Sequence, residues 1–152
     1  MTTLTGMIKT RRYCLKASEF QKSGIQCFSD IASPKYIGPF EKDSLYYIPI
    51  NVLPDHDYVY HNGRLQGTFD ESILLSTEFK TKAMAIDEWL KSVKVQVAKI
   101  IKAGGLATLL VHPACMEVCD NFKIFEKLCQ FVSQYKTLCM KEVGQEYAEN
   151  FK

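Results

Sequence analysis

Apolar residues recur along this chain with two different periods. Between residues 82 and 103, Ile86, Leu90, Val93, Val97, Ile100 and Ile101 return at spacings of three and four. That draws one apolar stripe and predicts a helix over 82–103, with Lys91, Lys94 and Lys99 among its polar positions. Gly104-Gly105 supplies its stop. Residues 106–111 (LATLLV) then form an unbroken apolar run. Such a run predicts a strand buried on both faces, the kind found in parallel sheets. His112-Pro113 ends it, and a polar loop follows. Phe125, Leu128, Val132, Tyr135 and Leu138 make a second stripe, which predicts a helix over 121–139 capped by Asp120 or Asn121.

Earlier in the chain the signals are shorter. Residues 16–22 are good helix formers stopped by Gly24, and 25–28 read as a short strand. Residues 29–43 contain Pro34, Gly38 and Pro39 and read as a surface loop. Residues 45–53 (LYYIPINVL) are aromatic and β-branched, hence a strand, with Pro49 marking an edge or a bulge. Residues 54–67 are polar and turn-rich, with Asn62-Gly63 a strong turn dipeptide. Strand, loop, long helix, Gly-Gly, buried strand, loop and helix is the order of an α/β fold with parallel strands. In such folds chemistry gathers where strands end at their carboxyl edge, and His112 falls there.

Composition narrows the picture. At 152 residues the chain suits one domain, and it is short of the roughly 250 residues of a complete eight-fold barrel. A content of 47% hydrophobic and 24% charged residues belongs to a globular chain. The net charge of +2 gives no field that would favour nucleic acid or an anionic membrane. No stretch reaches the roughly 20 apolar residues of a membrane span. Residues 1–16 hold no apolar run of the secretory kind, which places the chain in the cytoplasm if it is complete as given. The cysteines at 14, 27, 115, 119, 129 and 139 read mainly as reduced thiols.

Four groups of polar residues could carry chemistry. An imidazole at residue 112, in a half-dry cleft mouth, is suited to general acid or base work, because imidazoles as a class titrate near neutrality. The bland alternative is a histidine that only bonds a loop carbonyl. Asp55-His56-Asp57-Tyr58 puts two carboxylates beside an imidazole after the 45–53 strand, either to orient a catalytic group or as a solvated turn. Arg11-Arg12 offers a guanidinium fork for a carboxylate, or merely a basic end. His112, Cys115 and Cys119 have a His-x-x-Cys-x-x-x-Cys spacing, but no second pair stands at the spacing zinc prefers. There is no phosphate loop, dinucleotide fingerprint or nucleophile elbow.

Three stretches together resemble the C-terminal half of a NodB-like polysaccharide deacetylase domain, over roughly residues 10–138. The first is residues 104–113 (GGLATLLVHP) after a helix holding Trp89, similar to the family's Leu-x-His motif on its last core strand. The resemblance implies that Leu110 lines the acetyl pocket and that His112 is the general acid. The second is Tyr47-Ile48-Pro49-Ile50 followed by Leu53-Pro54-Asp55-His56-Asp57-Tyr58, similar to a proline-bearing strand followed by an acid beside an aromatic. It implies that Asp57 orients the histidine and Tyr58 walls the pocket, with Asp55 as the alternative acid at the substrate site. The third is Arg12-Tyr13-Cys14-Leu15, in the place of an arginine motif that steadies a catalytic aspartate; Cys14 and Leu15 stand where the family has proline and an aromatic.

The resemblance implies a partial (β/α) barrel, with parallel strands and flanking helices, whose N-terminal strands are missing. The family's Asp-Asp motif and its His-x-x-x-His motif, which supply base and metal ligands, do not occur in these residues. A complete member is expected to carry a zinc-like divalent metal, and this chain alone no cofactor. The implied activity is hydrolysis of N-acetyl groups on a glycan, with the isolated chain expected to be inactive. The rival expectation is a non-catalytic carbohydrate-binding or protein-interaction module; a thiol-linked regulator using Cys115 and Cys119 is a third. Expected partners are a glycan, and a second copy or another chain that supplies the first strands.

Overall fold

The computed structural model describes residues 20, 22–25, 27–29, 31–55, 79 and 84–150, with the side chains of 148–150 left aside. Within them lie three short strands, β1 (Cys27–Phe28), β2 (Phe40–Lys42) and β3 (Leu45–Tyr47). Four helices follow, α1 (Ile86–Lys102), α2 (Pro113–Asp120), α3 (Lys123–Val132) and α4 (Met140–Asn150). The strand order is β1-β3-β2, with β1 parallel and β2 antiparallel to β3. The described residues thus form a small α/β structure with a mixed sheet, and no closed barrel is present among them.

The antiparallel strand corrects the expectation of a plain loop over 29–43. Asp43 and Ser44 both take positive φ, 53° and 59°, and join β2 to β3 as a two-residue hairpin. Such a turn matches the twist of paired strands. Phe40 then stacks on Tyr47 and on Tyr36. The strand expected over 45–53 is also shorter, because Pro49 carries no N–H and ends the regular ladder. Isolated pairings continue past it: Ile48 N–H donates to Phe28 O, Ile50 N–H to Ile31 O, and Ser33 N–H to Ile50 O.

Helix α1 begins at Ile86, later than the predicted 82. Asp87 and Glu88 lie in its first turn and Lys99 and Lys102 in its last, each sign where the helix dipole favours it. Its stop is the predicted one. Gly104, at φ 75°, donates to Ile101 O, and Gly105 N–H donates to Ile100 O, which closes the last carbonyls. Gly105 also lies so close to Ile37 that a Cβ there would collide with the Ile37 carbonyl. Trp89, Leu90, Val93, Val97 and Ile100 form the buried stripe, while Ile101 turns outward. They pack with Val52, Leu53, Met116, Ile124 and Leu128. Each such side chain contributes about 1.5–3 kcal/mol over its exposed state.

Of the single helix expected over 121–139, only Lys123–Val132 is helical, and residues 133–139 are turn and loop. Residues 113–120, expected as loop, are helical, with Pro113 at the first position, where its missing N–H costs nothing. Asn121 and Phe122 then turn left-handed (φ 56° and 65°) and break the path. Asp120, one of the two expected caps, accepts Ile124 N–H at the start of α3. That helix stops at Val132 because the side chains of Ser133 and Gln134 take the carbonyls of Gln130 and Phe131. Helix α4 was not foreseen. Its start is fixed by Glu142, whose carboxylate accepts Cys139 N–H at 2.6 Å.

The most consequential difference concerns residues 106–111. They belong to no sheet, and every one is half-buried rather than buried. They nevertheless run parallel to 51–55 in a fixed register. Asn51 pairs with Thr108 and Asp55 with His112, both 57 residues apart. Only one backbone bond joins the two segments, from Val52 N–H to Thr108 O at 3.4 Å. The remaining links are side chains. Buried Asn51 donates through Nδ2 to Tyr36 O and Leu106 O, and its Oδ1 accepts Thr108 N–H. On the helix side, Gln96 Oε1 accepts Leu53 N–H and Trp89 Nε1 donates to Leu53 O. Ala107, Leu109 and Val111 pack on the helical core, so Thr108, Leu110 and His112 alternate onto the opposite face.

Two outcomes follow from these contacts. Asn51→Ala removes the side-chain partner of three part-buried backbone groups, and should lower unfolding stability in urea by about 1–3 kcal/mol, whereas Val95→Ala on the exposed side of α1 should change it by less than about 0.5 kcal/mol. The bond from Cys139 N–H, followed by the Cys139 side chain, holds the Glu142 carboxyl below its ordinary value. A depressed carboxyl contributes stability above its unfolded value and loses it as pH falls through the folded one. Amide exchange in the first turn of α4 should therefore accelerate below the ordinary glutamate range, and Glu142→Gln should abolish that acid dependence.

Candidate functional site

His112 stands where residues 106–111 end and α2 begins. It is the N-cap of α2, with extended φ −103° and ψ 109°, and its carbonyl accepts the N–H of Cys115 and of Met116. The helix start thus fixes its backbone from one side. Asp55 fixes it from the other. His112 N–H donates to Asp55 Oδ2 at 2.9 Å, and the ring Nδ1 lies 2.8 Å from Asp55 Oδ1. One carboxylate therefore holds both the main chain and the ring of the same residue.

Burial of the two partners is unequal. The Asp55 side chain is 0% exposed and that of His112 is 34% exposed. A carboxylate only accepts, so the shared hydrogen belongs to Nδ1, and proton exchange with a ligand would run through Nε2. A buried carboxylate orienting an imidazole that reaches solvent is the arrangement general acid–base catalysis needs. Cys115, two positions into α2 from Pro113, adds a buried thiol. A ligand atom of each of Asp55, His112 and Cys115 lies within 4.8 Å of the other two.

The residues singled out in the sequence distribute as follows. Asp55 and His112 are brought into contact. Leu110 is half-buried and shares the face of His112. Asp57, Tyr58 and Arg12 lie outside the described residues. Of the two acids weighed as the partner of His112, the described one, Asp55, makes the contact. Asn51 escaped notice altogether. Its signal was an amide inside an apolar run, four residues before Asp55, the same interval that separates Thr108 from His112. Cys119 is half-buried, and none of the five described cysteines is in a disulfide.

A cleft of about 400 Å³ elsewhere on the molecule is lined by apolar residues including Ile48, Val97, Leu106 and Val143, and neither Asp55 nor His112 borders it. No helix among the described residues is long and apolar enough to cross a membrane. No known protein family, curated protein or solved structure matches the chain.

The contact between Asp55 and His112 should be measurable as a coupling. In a double-mutant cycle of Asp55→Ala and His112→Ala, followed by urea unfolding, the pair should show about 1–3 kcal/mol of interaction. Strict additivity of the two substitutions would mean that the carboxylate does not hold the ring.

Proposed function

We propose that Asp55 and His112 are the acid side of a glycan-directed amide hydrolase of the polysaccharide deacetylase kind. The observation that carries this reading is the ring of His112, just past residues 106–111, held 2.8 Å from a fully buried carboxylate. In this reading the imidazole delivers a proton to the departing amine, and Asp55 keeps the ring aimed. Leu110, two residues earlier on the same face, lines the place of the acetyl methyl. Tyr58 and Arg12 remain the expected pocket wall and steadying cation.

The metal that the resemblance implies finds no matching donors here. Its Asp-Asp and His-x-x-x-His ligands are absent from these residues. Among the described residues, the metal-donor cluster that includes His112 contains a single imidazole beside a carboxylate and a thiol, not the two histidines of the His-x-x-x-His motif. No step is therefore assigned to that metal, and the water-activating half of the reaction has no residue in this reading.

Two measurements test the proposal together. The 152-residue chain, supplied with divalent cations, should release no acetate from acetylated chito-oligosaccharide above a blank. The same oligosaccharide should shift the His112 ring signals in a heteronuclear NMR titration, and should do so far less in Asp55→Asn. Robust metal-dependent acetate release would overturn the assignment of a missing base. An unperturbed ring at saturating glycan would remove the carbohydrate reading.

A further inference from the structure

The geometry points to a second use of the same corner of the fold: a site for one borderline divalent cation, of the zinc or cobalt type, held by Asp55, His112 and Cys115. This goes beyond the proton-transfer reading and does not rest on it. It is also distinct from the metal implied by the resemblance, since none of that site's motifs is involved.

Three observations carry it. The first is distance. Ligand atoms of the three residues lie within 4.8 Å of one another. For any three atoms so spaced there is a point no farther than about 2.8 Å from all of them, so shifts of at most about 0.5–0.8 Å bring them to the 2.0–2.3 Å of zinc–oxygen, zinc–nitrogen and zinc–sulfur bonds.

The second is charge. Asp55 is fully buried and Cys115 is 4% exposed. A carboxylate and a thiolate together neutralise a divalent cation, which a buried site requires. The thiol proton leaves to solvent as the sulfur binds, and the cation takes the place of the hydrogen at Nδ1, which moves to Nε2 so that the imidazole stays neutral.

The third is rigidity. The donors come from two segments already locked to each other. Asp55 is tied to the His112 main chain, and Cys115 N–H donates to His112 O at 2.9 Å, so histidine and cysteine share one helical turn. Oxygen, nitrogen and sulfur donors together favour zinc or cobalt over magnesium or calcium, which select oxygen alone. The partly exposed His112 ring leaves room for water as the fourth ligand, as in three-ligand zinc sites.

The test uses cobalt(II) as an optical probe on the reduced 152-residue chain. One equivalent should bind and produce a thiolate-to-cobalt charge-transfer band, and zinc should displace it. Cys115→Ser should abolish the band, and His112→Ala should weaken binding by more than about tenfold, the lower end of what loss of even an outer-shell partner costs. Cys119→Ser, Cys129→Ser and Cys139→Ser should leave the band intact. Circular dichroism confirms that each variant is folded, and Cys115→Ala serves if the serine variant is not. Absence of a stoichiometric band in the parent chain overturns the site. So does a band that survives loss of Cys115, because another thiol would then be the ligand.

Discussion

Two extended segments meet in the half-dry interior of this molecule with almost no ladder between them, and buried polar side chains take the ladder's place. An unsatisfied backbone group in such a position costs about 1–3 kcal/mol. Asn51 answers three of them and Asp55 one more, while Gln96 and Trp89 serve Leu53 from the helix. The register of residues 106–112 is therefore set by two side chains at matched four-residue intervals. A slip of one residue would strand both, and would also turn Ala107, Leu109 and Val111 away from the core they pack on.

That constraint places the candidate site. Because Asn51 and Asp55 lock the two segments in parallel, the ring of His112 arrives over a carboxylate already committed to its backbone. The helix layer completes the arrangement. Trp89 is fully buried and bonds Leu53 O, two residues before Asp55, so α1 fixes the same strand end that presents the acid. Pro113 at the first position of α2 removes an N–H that would need a partner and turns the chain sharply after the histidine. Fold and site thus depend on the same few polar contacts.

Much of the helix layer was legible in the sequence because amphipathic periodicity is a local signal. The stripe of α1 and the Gly104-Gly105 stop are read directly from spacing, and the structure shows both. Where the reading went astray, the cause was side-chain hydrogen bonding. Ser133 and Gln134 end α3 early, Glu142 starts α4, and the left-handed pair Asn121-Phe122 separates α3 from α2. The apolar run 106–111 was read as fully buried because an apolar stretch reveals nothing about how its backbone is satisfied. Of the site, His112 was legible from its position after that run. That Asp55 makes the contact was not, since only register brings it to the ring.

Register also explains why one corner can support two chemistries. Asp55 holds Nδ1 of His112, and that contact can orient a proton carrier or contribute two of three donors to a cation. The sulfur of Cys115 discriminates between them. A cation at this point would need it both for charge and for the third bond. The imidazole cannot serve both purposes at once, because cation and shared hydrogen compete for the same ring nitrogen. A bound cation would therefore withdraw His112 from proton transfer, and the two uses are alternatives built on one carboxylate.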